Sequence, residues 1–486
     1  MEQCFIGVDL GTSAVKLLLM DASGEVLRTV SRTYPISFPK PGWSEQNPED
    51  WWRETLAGLK ELSAGFESRI AGIGFGGQMH GLVALDESDR VIRPAILWND
   101  GRTAQACTYL NETVGRNVLS EETGNIAFAG FTAPKLLWMK EHEPENFARI
   151  AKIMLPKDYL AYRLSGTFAT DPSDASGMLL FDVKNRTWSE KMCEICDVKK
   201  SQLAKIYESH EVIGTILPSV AGELSLPKDV KIIIGAGDNA AAAVGTGTVA
   251  HGDCNISLGT SGTVFIASDT YMVDDANALH SFAHATGAYH LMGCMLSAAS
   301  CNKWWMEEIA RDKDFAGEQS KMADLGRNDV YFLPYLMGER SPHNNPDARG
   351  VFFGMRMDTD RTAMSQAVLE GVAFGLRDSL EVARAGGITV TRSKICGGGA
   401  VSPVWRRMIA NIMGLVVEIP TIEEGPSYGA AILAACGCGT FASVKDAASR
   451  LVTVTDALAP EPELTERYEE RYRAWKKIYP ALKDLF

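Results

Sequence analysis

A four-residue turn sequence that occurs twice is the feature that most restricts the fold of this chain. Leu10-Gly11-Thr12-Ser13 recurs in the second half as Leu258-Gly259-Thr260-Ser261, with apolar stretches on both sides of each copy. Each copy has the pattern of a strand, a tight glycine turn and a second strand, which is typical of a β-hairpin. The matched surroundings indicate duplication of a hairpin-bearing domain. We therefore place a domain boundary near residue 250.

The segments around the hairpins alternate between strand and helix patterns. Short apolar runs that end in glycines, at residues 69–77 and 394–400, predict buried strands. Helices are predicted over residues 48–62, 360–385, 402–413 and 463–482, on apolar spacing and on cap residues such as Asn47. This alternation predicts an α/β protein.

Composition narrows the class of partner. The 486 residues carry a formal net charge of −13, which disfavours nucleic acid and anionic membranes. No apolar run approaches the ~20 residues that span a bilayer. The start of the chain lacks a basic region before an apolar stretch, so we expect no signal peptide. Ten scattered cysteines fit a reduced protein. We expect a cytoplasmic protein, and a homodimer stays open.

The first hairpin turn has the residues of a phosphate site. A glycine turn lets backbone N–H groups approach phosphate oxygens, and the hydroxyls of Thr12 and Ser13 can add hydrogen bonds. Asp9 precedes the turn and could hold Mg²⁺ through water, because Mg²⁺ prefers oxygen ligands and keeps several waters. The second copy has Ser257 at the corresponding position, so only the first could supply a charged ligand. The alternative is a plain hairpin with a polar turn.

Asp238 is the candidate base. It follows an apolar strand and the glycines Gly235 and Gly237, and alanines that favour a helix come next. A carboxylate at such a helix start could accept a hydroxyl proton during phosphoryl transfer, where positioning supplies most of the catalysis. The alternative is that Asp238 only caps the helix.

Two other glycine-bearing segments have both a functional and a structural interpretation. The three glycines of residues 397–399 would let a flat ligand lie against backbone, or they form only a tight turn. In the segment Gln78-Met79-His80-Gly81, the histidine and methionine could contact a ligand or could be ordinary core residues.

Other cofactor motifs are not supported. A P-loop needs a Gly-Lys dipeptide, and the chain has none. Residues 72–77 satisfy GxGxxG, but a strand pattern follows where a dinucleotide fold would open a helix. Cys193 and Cys196 form a CxxC without a second ligand pair nearby, so we expect no zinc site there.

Together these motifs resemble those of the FGGY carbohydrate kinases, from Ile6 to about Phe441. Residues 130–142 fit the first family signature throughout. Residues 350–370 fit the second, except at Ala363, where the family prefers a polar residue. The segment GGQMHG at residues 76–81 makes the chain most similar to the family members that act on D-xylulose.

The resemblance implies an α/β fold with two ribonuclease-H-like domains, of the actin and hexokinase type, on either side of a deep cleft. It implies a sugar-binding domain over residues 1–250 and an ATP-binding domain over residues 251–441. A helical extension over residues 442–486 would pack on the core. The implied reaction uses ATP and Mg²⁺ to phosphorylate D-xylulose to D-xylulose 5-phosphate.

The resemblance also implies a role for each candidate residue, by matching position. Asp238 would be the general base, and Asp9 the acid near Mg²⁺. The implied sugar contacts are Met79, His80, Asn239 and Trp98. The implied phosphate and nucleotide contacts are Thr12, Ser13, Lys16, Gly259, Thr260, Ser261, Gly398, Gly399 and Asn411.

Three other functions are considered. The first is a family member acting on another sugar or polyol, such as ribulose, gluconate or glycerol. The second is an actin-like ATPase, which we expect to carry a filament surface or a further peptide-binding domain. The third is an inactive sugar sensor, which the presence of both Asp9 and Asp238 argues against.

Overall fold

Residues 3–422 and 424–486 are described by a computed structural model. In the first half the strands are β1 Cys4–Leu10, β2 Ala14–Asp21, β3 Val26–Thr33, β4 Glu45–Gln46, β5 Ile70–Gly77, β6 Val83–Leu85, β7 Ala95–Ile96, β8 Lys152–Met154, β9 Ala169–Thr170, β10 Phe181–Asp182, β11 Thr187–Trp188, β12 Lys205–Ile206, β13 Val212–Thr215, β14 Lys231–Ile233 and β15 Ala236–Gly237. The α-helices are α1 Pro48–Ser63, α2 Ala104–Thr108, α3 Arg116–Thr123, α4 Thr132–His142, α5 Pro144–Ala148, α6 Pro156–Ser165, α7 Pro172–Ala175, α8 Glu190–Cys196, α9 Pro218–Leu224 and α10 Asp238–Gly245.

In the second half the strands are β16 Cys254–Leu258, β17 Gly262–Ser268, β18 His280–Ala283, β19 Tyr289–Met295, β20 Tyr331–Leu333, β21 Val351–Phe353, β22 Arg392–Cys396, β23 Val416–Pro420 and β24 Val454–Leu458. The α-helices are α11 Ala299–Trp304, α12 Phe315–Ser320, α13 Arg361–Ala385, α14 Pro403–Met413, α15 Gly425–Gly437, α16 Val444–Leu451, α17 Pro462–Trp475 and α18 Ile478–Leu482.

Two mixed sheets share one topology. The first has the order β3-β2-β1-β5-β14-β13, with β15 also paired to β5, and the second contains β19-β17-β16-β22-β23-β24 in the same order. The relative strand directions also correspond, because each hairpin is antiparallel and each of β1 and β16 has a parallel neighbour on its other side. The repeated turn lies in the same hairpin of both sheets. This confirms the predicted duplication and the α/β class.

Most predicted helices form where their caps indicate. Helix α1 begins after Asn47, whose side chain accepts a hydrogen bond from the Glu49 N–H at 3.1 Å. Its buried face includes Trp51 and Leu59, and such side chains contribute about 1.5–3 kcal/mol each when fully buried. Helix α13 ends before Gly386, as predicted. Helix α14 begins at Pro403, one residue after the predicted start, and the structure shows Ser402 as its N-cap. The helix predicted over residues 463–482 is interrupted between α17 and α18.

Helices pack on both faces of the first sheet. Helices α1, α6 and α9 cover one face, and α10, α15 and α16 cover the other. Helices α15 and α16 thus pack on the first sheet, although they follow the second-sheet strands β22 and β23 in the chain. The span 442–486, predicted as helical, also contains β24, which is the edge strand of the second sheet. Within the described ranges no helix is long and apolar enough to cross a membrane.

Helices α10 and α15 cross at glycines. A Cβ atom added at Gly429 would overlap the carbonyl oxygen of Ala241, and one at Gly245 would overlap that of Gly425. The same is true where α15 lies on the sheet, since a Cβ at Gly7 would overlap the Ser427 carbonyl. The backbones therefore touch directly, and any side chain at these positions would force them apart.

Replacement of one helical glycine tests this contact. We expect Gly429→Ala to lower the thermal unfolding midpoint, because overpacking against backbone typically costs about 1–3 kcal/mol. The matched control is Gly222→Ala in α9, where an added Cβ meets no atom within 4 Å. That variant should be neutral or more stable by up to about 1 kcal/mol, since alanine favours helix over glycine. Equal midpoints for the two variants in differential scanning calorimetry would contradict the contact.

Candidate active site

Asp9 lies near the end of β1, directly before the first turn. The turn closes with a hydrogen bond from the Gly11 N–H to the Ala14 carbonyl at 3.0 Å, and Asp9 faces Lys16 across the hairpin. Burial, together with the nearby carboxylate of Asp238, raises the pKa of Asp9 to about 7, and Lys16 opposes that rise. The two acids therefore lie close enough to repel each other.

Side chains from other elements fix the first turn. The Trp98 indole N–H donates to the Thr12 hydroxyl at 2.9 Å, and the Gln46 amide donates to the Thr12 carbonyl at 2.7 Å. The Tyr34 hydroxyl donates to the carbonyl of Gly11. Trp98, which the resemblance implied as a sugar contact, is 43% exposed beside this turn. Ser13 and Lys16 are exposed on the same hairpin.

Asp238 is the first residue of α10. Gly237 occupies the N-cap position, so the alternative in which Asp238 serves as the cap does not hold. The backbone N–H and side-chain amide of Asn239 donate to one Asp238 oxygen, at 2.7 and 2.8 Å. Burial raises the pKa of Asp238 to about 6, and these hydrogen bonds limit the rise. Asp238 is partly exposed, so a ligand could reach it.

Met79 and His80 follow β5, and Met79 lies next to the start of α10. A Cβ added at Gly237 would come within 3.0–3.3 Å of the Met79 side chain, so that side chain packs on the residue before Asp238. His80 has a positive φ of 69° and stacks on Phe131 at 4.6 Å between ring centroids.

The histidine is held in one tautomer. Its Nδ1 lies 2.8 Å from the carbonyl of Gly177, which makes Nδ1 the protonated nitrogen and leaves Nε2 as an acceptor. Burial lowers the pKa of His80 to about 3, so the ring is neutral at physiological pH. The side-chain nitrogen of buried Lys135 donates to the His80 carbonyl at 2.8 Å and fixes the backbone. A neutral acceptor suits a sugar hydroxyl.

Arg340 is a residue that the motifs missed. It comes from the second half of the chain, and its guanidinium lies 4.9 Å from the ring centroid of Phe128, which packs edge-on against Phe131. Its charge contributes to the lowered pKa of His80. The sequence signal was indirect, because Arg340 lies outside the second family signature, which begins at residue 350.

The second turn borders an open cavity. Thr260 and Ser261 are exposed, and the Gly259 carbonyl accepts from the Ala299 N–H at 2.8 Å. Gly397 has a φ of 90°, and a Cβ there would lie 3.0 Å from the Gly259 nitrogen. The adjacent cavity has a volume of about 340 Å³, within the usual range for a small-molecule site. Its lining includes Gly398, Gly399, Ala299, Ser402 and Trp405.

Asn411 does not line that cavity. It is fully buried in α14, and its amide N–H donates to the Arg407 carbonyl at 2.8 Å. Its side-chain oxygen accepts from the Glu461 N–H at 2.7 Å and from the Thr465 hydroxyl at 3.1 Å. The side chain therefore satisfies the first turn of α17. The implied nucleotide contact of Asn411 is corrected to a helix-capping role.

The structure thus forms two groups of candidate residues. One contains the acids Asp9 and Asp238 together with Met79, His80 and Asn239. The other joins the second hairpin turn to the glycines of residues 397–399, of which Gly398 and Gly399 line the cavity. Within residues 3–422 and 424–486, no three or more His, Cys, Asp or Glu side chains come together in a group that could hold a metal ion.

Comparison with known proteins agrees with this arrangement. Residues 4–245 match the model of the FGGY family of carbohydrate kinases, N-terminal domain, and residues 254–438 match its C-terminal domain. The chain is 42% identical to the xylulose kinase of Escherichia coli K12, over 99% of both chains.

Solved structures give the same result. A "xyloylose kinase" from Brucella ovis is 38% identical, with a TM-score of 0.95 over 100% of both chains. A gluconate kinase from Lactobacillus acidophilus is 26% identical, with a TM-score of 0.95 over 99% of this chain and 98% of the other. With both family domains matched across almost all of its length, the chain belongs to the FGGY family of carbohydrate kinases.

Proposed function

We propose that this kinase transfers the terminal phosphate of ATP to the C5 hydroxyl of D-xylulose. The observation that carries the proposal is the position of Asp238, which begins α10 beside Met79 and close to Asp9. The relatives support the choice of sugar, since the curated xylulose kinase of E. coli is 42% identical over nearly the full length. The substrate phosphates would lie at the two hairpin turns.

Asp238 acts as the general base in this mechanism. The sugar hydroxyl attacks the terminal phosphorus while the Asp238 carboxylate takes its proton. Asn239 holds the carboxylate through the hydrogen bonds described above, and the neutral His80 accepts from another sugar hydroxyl. A base with a pKa near 6 is deprotonated at neutral pH and still suited to accept a proton.

Asp9 fits a magnesium ion bound with ATP. Asp9 is partly exposed, and burial and the Asp238 carboxylate raise its pKa, so a nearby cation would favour its charged form. When bound, Mg²⁺ would neutralise charge on the phosphate oxygens. Asp9 would hold it through water, and the hydroxyl of Thr12 and the backbone of the turn would orient the phosphates.

A panel of sugars tests the substrate. We expect D-xylulose to give the highest kcat/KM in an assay of ADP release, above ribulose, glycerol and gluconate. Gluconate is the sharpest comparison, because a gluconate kinase has the same fold at a TM-score of 0.95. A higher kcat/KM for gluconate than for D-xylulose would replace the proposed substrate and leave the kinase assignment intact.

Replacement of the base tests the mechanism. We expect Asp238→Asn to lower kcat by at least the ~10²–10⁴-fold typical of general acid–base groups, because the amide cannot accept the hydroxyl proton. ATP binding, measured by calorimetry, should change little. The control is Asp275→Asn, since Asp275 is exposed on a loop and should keep full activity. Turnover near that of the unmodified protein in Asp238→Asn would exclude the base assignment.

The pH dependence follows from the two acids. Because both pKa values are raised, to about 6 and about 7, kcat/KM should fall as the pH drops through that range. The acids interact, so the limb reports the pair rather than either residue. His80 should not contribute, because its pKa is about 3. A kcat/KM that stays constant from pH 8 to pH 5, measured by direct product detection, would contradict this.

A further inference from the structure

A buried lysine lies behind the proposed base. Lys157, in α6, is completely buried, and its ammonium contacts Asp158 at 2.7 Å and Asp171 at 2.9 Å. Asp174 lies 3.5 Å away, and all three aspartates are buried. Removing four ionisable groups from water is costly, and a buried ion network seldom repays that cost in stability. Its position next to the active site therefore calls for another explanation.

Hydrogen bonds connect this network to the backbone at Asp238. One oxygen of Asp171 accepts from the Ser173 hydroxyl at 2.5 Å and from the Ser209 hydroxyl at 2.8 Å. The oxygen of Ser173 in turn accepts the N–H of Gly237 at 3.1 Å. Gly237 caps α10 and directly precedes Asp238. An unbroken chain of contacts thus runs from Lys157 to the residue before the base.

The same lysine also borders the sugar-facing segment. A Cβ added at Gly77 would lie 2.9 Å from the Cβ of Lys157, so α6 rests directly on the end of β5. Met79 and His80 follow that strand end. Gly77 of β5 is also paired with Gly237 of β15. The strand end before Met79 and His80 therefore lies next to the strand end before Asp238.

We propose that Ser173, held by Asp171 and Lys157, is a positioning residue that orients Asp238 toward the sugar hydroxyl. This inference rests on the proposed base function of Asp238. The hydroxyl of Ser173 uses its proton on Asp171, so its oxygen must accept from Gly237, which fixes the direction of the first turn of α10. Phosphoryl transfer depends on such placement, and a shift of about 1 Å can cost on the order of 10²-fold in rate.

A matched pair of serine variants tests the proposal. Ser173→Ala removes the acceptor of the Gly237 N–H, and we expect kcat to fall about 10- to 100-fold. The KM for ATP should stay within about twofold, because the phosphate turns are not touched. Ser209→Ala is the control: it deletes a buried hydroxyl that donates to the same Asp171 oxygen, whereas the Gly237 N–H donates to Ser173 and keeps its acceptor. Its kcat should stay within about threefold of the unmodified protein.

The outcomes separate positioning from general stability. Equal losses of kcat in the two variants, or an unchanged kcat in Ser173→Ala, would overturn the proposal. If Ser173→Ala does not fold, Ser173→Cys keeps a similar side chain with only a weak acceptor, and it should show the same selective loss of kcat. An unchanged kcat there would equally overturn the proposal.

The failure of the proposed function would look different. If D-xylulose is not the substrate, the unmodified protein will show no turnover with it, and the serine variants are compared on the sugar that the panel identifies. If Asp238 is not the base, Asp238→Asn will remain active. Neither result resembles an unchanged kcat in Ser173→Ala on an active parent protein.

Discussion

The direct contact of backbones between α10 and α15 is the constraint on which the arrangement of the site depends. Glycines at the crossing remove the side chains that would hold two helices 8–10 Å apart. Helix α15 also lies against glycines of β1 and β5, so one helix contacts both the first sheet and α10. Because α10 begins with Asp238, this packing sets the position of the proposed base relative to Asp9 on β1.

Burial then sets the chemistry of the residues at this junction. Burial raises the pKa values of Asp9 and Asp238 toward neutrality, and burial lowers the pKa of His80. The pKa values of the two acids therefore lie near physiological pH, whereas the histidine is neutral there. Such a division suits a kinase that needs one base, one acid near a cation and a neutral hydrogen-bond acceptor for the sugar.

Much of the fold could be predicted because its signals are local. The two hairpins, the cap of α1 by Asn47 and the end of α13 at Gly386 each depend on residues a few positions apart. The strand that follows GxGxxG, β6, was predicted for the same reason. Asn411 went wrong because its partners, Glu461 and Thr465, lie far along the chain and leave no signature beside it.

By itself, the sequence determined the duplicated α/β plan, the residue types of both turns and the acids that could act on a phosphate. Only the tertiary structure decided which polar groups remain available for a ligand. It assigned the amide of Asn411 to a helix end, brought Arg340 over Phe128, and connected buried Lys157 to the backbone before Asp238. The physical reason is that desolvation and hydrogen-bond pairing depend on neighbours in space, which the order of residues along the chain does not specify.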